Sequence, residues 1–401
     1  MNKVVGNIEV RQIFDSRGEP TIEVEIMGSG GKKFLAQIPS GKSRGSREVA
    51  VFSFSEALIS VAAIRRLVVG RSFSSIREFD EFLLSEDGTK NKSKFGGNVL
   101  LGASIAFGRL IADVEKKELW EVLQDEFFSD SKKENHRPTI FSNVINGGVH
   151  AENNLDIQEY MVVVRPKRSY TETIARLEKF YKHLGVFLKD KNEGKNLPLG
   201  DEGGYSMNFK DNFEPIQILQ SMIIDEGLSE SFSVGLDVAA SGLFNEGSYQ
   251  FEEKTLSSEK LHDVYKKYFK TAELLCSIED PFDESDERGF ALIKKTLGDK
   301  WVVGDDLTVT NPELIQEYAA GNCINAVIIK PNQIGTVSET CKAINIAHNL
   351  GIKTIVSHRS GETEDVFIIH LAKAGNVRGV KIGAPVKERI LKFNELIRLF
   401  D

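Results

Sequence analysis

Six times in the second half of the chain, a short apolar run ends on a charged or metal-capable residue. Residues 234–236 lead to Asp237, 274–278 to Glu279, and 301–304 to Asp305 and Asp306. Residues 327–329 lead to Lys330, 354–357 to His358 and Arg359, and 377–380 to Lys381. Between these runs, residues 311–320, 336–350 and 364–374 carry helical spacing. Buried strands alternating with helices are the mark of parallel βα units. A series of them closes most economically into a (β/α) barrel, whose catalytic groups sit at the C-terminal ends of several strands. Three carboxylates, two lysines and a His-Arg pair then converge on one rim.

The pattern changes upstream. Residues 7–38 read as a three-stranded antiparallel meander, in which Ile22, Val24 and Ile26 alternate with Glu23 and Glu25. That alternation predicts one wet face. Helical spacing dominates residues 46–123, with 98–123 reading as one buried helix. Residues 124–137 are polar and end before Pro138, so they read as a linker. The expected organisation is an α+β cap over 1–123, a linker over 124–137 and an α/β barrel over 138–401. The barrel opens irregularly. Two apolar runs at 141–145 and 157–163 are joined by a loop alone, and helices at 170–189 and 213–225 follow, a ββαα start.

Composition narrows the class without naming a chemistry. Hydrophobic content of 41% and charged content of 27% are ordinary for a globular protein. A net charge of −8, with basic residues scattered, argues against nucleic acid or an anionic membrane as partner. Cys276, Cys323 and Cys341 lack CxxC spacing and read as reduced thiols. No apolar run approaches the ~20 residues that span a bilayer, and the first residues alternate rather than form a signal core. The expectation is a cytoplasmic protein.

Asp237, Glu279 and Asp305 end three successive strands, and oxygen-only ligands select hard cations such as Mg²⁺. A strand-end acid taken singly serves as well to cap the next helix. Lys330 ends a strongly apolar strand, so desolvation should lower its pKa and suit it as a general base. It could equally be a salt-bridge partner for the carboxylates. Arg359 with Ser357 and Ser360, at what reads as a helix N-terminus, suits a phosphate, although a plain capped helix start fits the same residues. Glu202, in Gly200-Asp201-Glu202-Gly203-Gly204, is either an acid/base group or part of a turn. His150 lies in a polar loop that reads as mobile. Gly41-Lys42-Ser43 copies the end of a P-loop, but Ala36 stands where that motif needs glycine, so a glycine-bounded lid is the better reading.

Taken in order, these segments resemble the enolase family over nearly the whole chain. The residues that carry the resemblance include RQIFDSRG at 11–18, NNLDIQEYM at 153–161, LDVAAS at 236–241, SIED at 277–280 and VSHRSGETED at 356–365. The resemblance implies reversible dehydration of 2-phospho-D-glycerate to phosphoenolpyruvate with two Mg²⁺ per site. It implies Asp237, Glu279 and Asp305 as ligands of the first ion and Ser43 as a ligand of a second that arrives with substrate. Lys330 would be the base at C2. Glu202, helped by Glu159, would protonate the departing C3 hydroxyl. Lys381 would face the substrate carboxylate, Arg359 and Ser360 the phosphate, with Gln158 also binding substrate and His150 and His358 lining the pocket. A homodimer is implied too, with Glu23–Arg398 and Arg11–Asp401 pairs between subunits. The departures from the family pattern lie in the lids: Lys42 and Arg44 for small uncharged residues, Val149 before His150, Ser206-Met207, and one residue fewer between Pro385 and Glu388. They leave two other readings open, a relative acting on a different carboxylate substrate and a non-catalytic binding protein.

Overall fold

The computed structural model describes residues 3–42, 45–129 and 136–401. Strands β1 (Val5–Phe14), β2 (Pro20–Gly28) and β3 (Lys33–Ile38) form an antiparallel sheet in sequence order. Four helices follow: α1 (Phe54–Val68), α2 (Ile76–Asp87), α3 (Gly97–Glu115) and α4 (Leu119–Phe127). Ser53 and Glu56 form a capping box that starts α1. Helix α3 lies against β2 and β3, and a Cβ at Gly102 would come within 2.4 Å of Val24 Cγ2. Among the described residues α3 alone is long and apolar enough to cross a membrane, but 83% of that stretch is buried, which makes it the core helix of the cap.

The barrel closes in the order β4 (Thr139–Asn146), β5 (Glu159–Val164), β6 (Phe232–Asp237), β10 (Leu275–Glu279), β11 (Trp301–Gly304), β12 (Ala326–Ile329), β13 (Lys353–Ser357) and β14 (Gly379–Ile382). The β4–β5 and β5–β6 pairs are antiparallel and the others parallel, so the irregular opening is real. Helices α5 (Tyr170–Lys191) and α6 (Glu214–Asp225) fill the ββαα start. The outer layer continues with α7 (Ser258–Thr271), α8 (Glu287–Leu297), α9 (Pro312–Ala320), α10 (Pro331–Ile334), α11 (Val337–Asn349), α12 (Phe367–Ala374) and α13 (Ile390–Phe400). Phe141, Met161, Val163, Val303, Ala326, Ile328 and Ile355 plug the barrel interior, a packed floor with the strand ends above it.

Several expectations need correction. The stretch expected as one helix over 98–123 is two, because the chain turns at Lys116, which holds a left-handed φ of 59°. Helix α4 continues to Phe127, so the first residues of the stretch expected as a linker, 124–127, are helical, and residues 130–135 lie outside the described ones. Residues 45–53 precede the first helix and are not helical. An excursion of three short strands, β7 (Phe244–Asn245), β8 (Ser248–Phe251) and β9 (Lys254–Leu256), carries no regular signal long enough to be read from sequence. Nor are Glu23 and Glu25 wet. Both are buried, because Arg11 pairs with each of them, Lys33 with Glu25, and Gln37 Nε2 donates to Glu23.

Candidate active site

Strand register assembles the acidic row. Glu159 on β5 and Glu279 on β10 both pair with Asp237 on β6, so the three carboxylates stand side by side at one end of the barrel. Asp305 follows β11 on the next strand. Oxygens of Asp237, Glu279 and Asp305 lie within 4.8 Å of one another, and all three residues are buried. A buried, oxygen-only donor set of this kind fits a hard divalent cation.

Two lysines answer that charge. Lys381 Nζ lies 2.8 Å from Asp237 Oδ2, 2.8 Å from Glu279 Oε1 and 3.1 Å from Glu159 Oε2. Burial works against its ammonium form, but the Asp237, Glu159 and Glu279 carboxylates outweigh it and hold the pKa well above the usual lysine range. Lys330 pairs with Asp305 Oδ2, while Gln333 Nε2 donates to the other Asp305 oxygen at 3.1 Å. This corrects the expectation for Lys330. Burial alone would lower its pKa, but the adjacent Asp305 carboxylate raises it instead. A cation held on this rim would share the Asp305 carboxylate with Lys330 and Gln333.

Beside Glu159, Glu202 accepts a hydrogen bond from Asn143 Nδ2 at 3.0 Å. Its oxygens lie 3.8 Å from His150 Nδ1 and 3.6 Å from His358 Nε2, in ion-pair range but too long for hydrogen bonds. Burial disfavours the Glu202 carboxylate, yet His358 and His150 hold its pKa well below the usual range. Glu159 is pushed the other way, by burial and then by Glu202. The two neighbouring acids are thus pushed in opposite directions. Burial lowers the pKa of both imidazoles. His150 is not on an open loop; it is buried, and both of its ring nitrogens, like those of His358, lack a hydrogen-bond partner among the described residues. Such buried, unpaired polar atoms suit a polar ligand. Gln158 is buried on the same wall of the cavity.

Ser360 and Arg359 reach the cavity from the loop after β13, not from a helix N-terminus as expected, since α12 begins only at Phe367. Arg389 supports this loop from beneath, donating to the carbonyls of Arg359 and Ser360 at 3.2 and 2.8 Å. Sequence reasoning missed Glu48, which holds the Arg359 guanidinium at 3.2 and 3.3 Å, and Asn332, whose Oδ1 accepts from it at 2.9 Å. It also missed Asp280, whose carboxylate accepts the backbone N–H of Asp305 at 2.9 Å and of Asp306 at 2.7 Å, aiming the metal-capable residue. The SIED stretch places Asp280 directly after Glu279 and was the available signal; nothing local points to Glu48. Ser43 and Arg44 lie outside the described residues.

A closed barrel that gathers a metal-capable carboxylate cluster, a lysine and a paired acid on its C-terminal rim defines a barrel enzyme with a divalent-cation site. Residues 5–123 match the family model "Enolase, N-terminal domain", and residues 135–401 match "Enolase, C-terminal TIM barrel domain". The chain is 37% identical over 407 residues to the enolase of Elusimicrobium minutum, covering 98% of this chain and 95% of that protein. It is 39% identical over 412 residues to the enolase of Anaplasma marginale, covering 98% and 93% of the two chains. With "Enolase 2" of Lactococcus lactis the figures are 36% over 416 residues, covering 100% and 96%. The chain belongs to the enolase family.

Proposed function

We propose that this protein is a glycolytic enolase, a hydro-lyase that reversibly converts 2-phospho-D-glycerate to phosphoenolpyruvate with Mg²⁺. The observation that supports the reading is that Lys330, Glu202 and Lys381 line one cavity with Asp237, whose carboxylate clusters with those of Glu279 and Asp305. Lys330 takes the C2 proton. Glu202, with Glu159 beside it, gives a proton to the departing C3 hydroxyl. Lys381 faces the substrate carboxylate, Arg359 and Ser360 hold the phosphate, and Gln158, His150 and His358 complete the walls. Asp237, Glu279 and Asp305 hold the first Mg²⁺, and Ser43 belongs to a second that comes with substrate. When bound, the metal supplies positive charge against the dianionic enediolate, which the C2–H bond needs because it is so weakly acidic.

The reading with a different carboxylate substrate loses ground at Arg359 and Ser360, which suit a phosphate dianion. The deciding measurement is the rise in absorbance as phosphoenolpyruvate forms from 2-phosphoglycerate with Mg²⁺ present. Chelation should abolish the signal and restored Mg²⁺ should return it. No signal at saturating Mg²⁺ and substrate would defeat the proposal.

The same reading takes 1–123 as a cap, 124–137 as its connection and 138–401 as the catalytic barrel, in a cytoplasmic homodimer. The Glu23–Arg398 and Arg11–Asp401 pairs assigned to the interface have competitors within one subunit. Arg398 pairs with Glu118 and Glu395, Arg11 with Glu23 and Glu25, and Asp401 accepts the N–H groups of Tyr170 and Thr171. Partly exposed ion pairs contribute about 0–1 kcal/mol each, so apolar burial must supply most of the association. Sedimentation at micromolar concentration should show a dimer that Arg398→Glu weakens and added Glu23→Arg partly restores. A monomeric parent protein would sink the quaternary proposal.

A further inference from the structure

Residues 39–42 run as a strip beside the cavity, with Gly41 in its wall. One edge is fastened to the loop that carries Arg359. Ser40 and Gly361 exchange backbone hydrogen bonds at 2.8 and 2.9 Å, and the Lys42 backbone N–H donates to Ser360 Oγ at 2.8 Å. Asp15 accepts from Ser40 Oγ at 2.6 Å, and Arg17 donates to the same hydroxyl at 2.9 Å. There is no slack at this edge, since a Cβ at Gly361 would come within 2.0 Å of Asp15 Oδ2.

Asn332 Nδ2 donates to the Pro39 carbonyl at 3.0 Å, and among the described residues the other edge carries one ion pair. Lys42 Nζ lies 3.1 Å from Asp201 Oδ2. That oxygen is buried and accepts no hydrogen bond among the described residues, where Lys42 is its one ion-pair partner within 4 Å. Asp201 directly precedes Glu202, in a turn closed by Gly203 N–H to Gly200 O at 3.0 Å and Gly200 N–H to Gly204 O at 2.8 Å. Asp201 and Glu202 share this tied turn, so a contact that holds Asp201 bears on the backbone that carries Glu202. Lys42 is 43% and Asp201 23% exposed at the side chain, a setting in which an ion pair is weak enough to open and close reversibly.

The geometry points to Lys42 as a positioning residue for the proposed reaction, its ion pair with Asp201 clipping the 39–42 strip to the turn that carries Glu202. The role rests on the enolase reading, but the clip itself is a property of the protein without substrate. Another use for the lysine would be long-range attraction of the anionic substrate, and the two make different predictions for Asp201. A clip needs both partners, whereas attraction needs only the cation.

The test is hydrogen exchange of the amides of residues 40–42 and 45–48 in the full chain, followed by KM for 2-phosphoglycerate. Lys42→Ala and Asp201→Asn should each speed exchange about 2–5-fold, the range expected for one partly exposed pair. The double variant should add nothing beyond either single one, and Lys42→Arg should restore the slow rate. KM should rise by a similar factor in both single variants. If Asp201→Asn leaves exchange unchanged, or if the two effects multiply in the double variant, the clip is overturned. Failure of the unsubstituted protein to form phosphoenolpyruvate would count against the proposed function, while the exchange rates would still decide the clip.

Discussion

Lys330→Ala is expected to stop exchange of the C2 proton of 2-phosphoglycerate with solvent and to leave the carboxylate rim able to bind a divalent cation. Loss of a positioned base typically costs about 10²–10⁴ in rate, and the other lysine among the described residues of the cavity, Lys381, is held by Asp237, Glu279 and Glu159. Cation binding should be retained or strengthened, because the substitution removes the ammonium that competes for Asp305 Oδ2. Deuterium incorporation at C2 and Mg²⁺ titration by calorimetry separate the two effects. Exchange that persists in this variant would move the base to another residue. Loss of Mg²⁺ binding would mean that Lys330 organises the rim.

Glu202→Gln is expected to divide the reaction. Glutamine keeps the side-chain length and an oxygen for Asn143, but it neither gives nor takes a proton at neutral pH. Formation of phosphoenolpyruvate should fall by about 10²–10⁴, the usual contribution of a general acid, while C2 exchange by Lys330 survives. The charge change also reaches the neighbours. Glu159 loses the like charge that, after burial, does most to raise its pKa, so its carboxyl should titrate lower in the variant. Equal loss of exchange and dehydration would make Glu202 part of the proton-abstracting machinery and defeat the assignment.

The strand ends were legible in sequence because each apolar run stops at the residue that emerges from the barrel. Asp237, Glu279, Asp305, Lys330 and Lys381 could be named before any contact was known, and the loop-only link between the first two runs marked the antiparallel opening. Local pattern could not supply contacts made across the fold. Glu48 meets Arg359 from 311 positions away, and Asp305 raises the Lys330 pKa that the apolar strand suggested would be lowered. The same holds for Glu23 and Glu25, whose alternation is that of a wet strand face but whose burial follows from Arg11 and Lys33 on the neighbouring strands. At Lys116 the chain turns without the glycine that normally marks a left-handed residue. Periodicity reports which side of an element is apolar and where the element ends. The partner and protonation state of a buried charge depend on groups that only closure of the barrel and docking of the cap bring within a few ångströms.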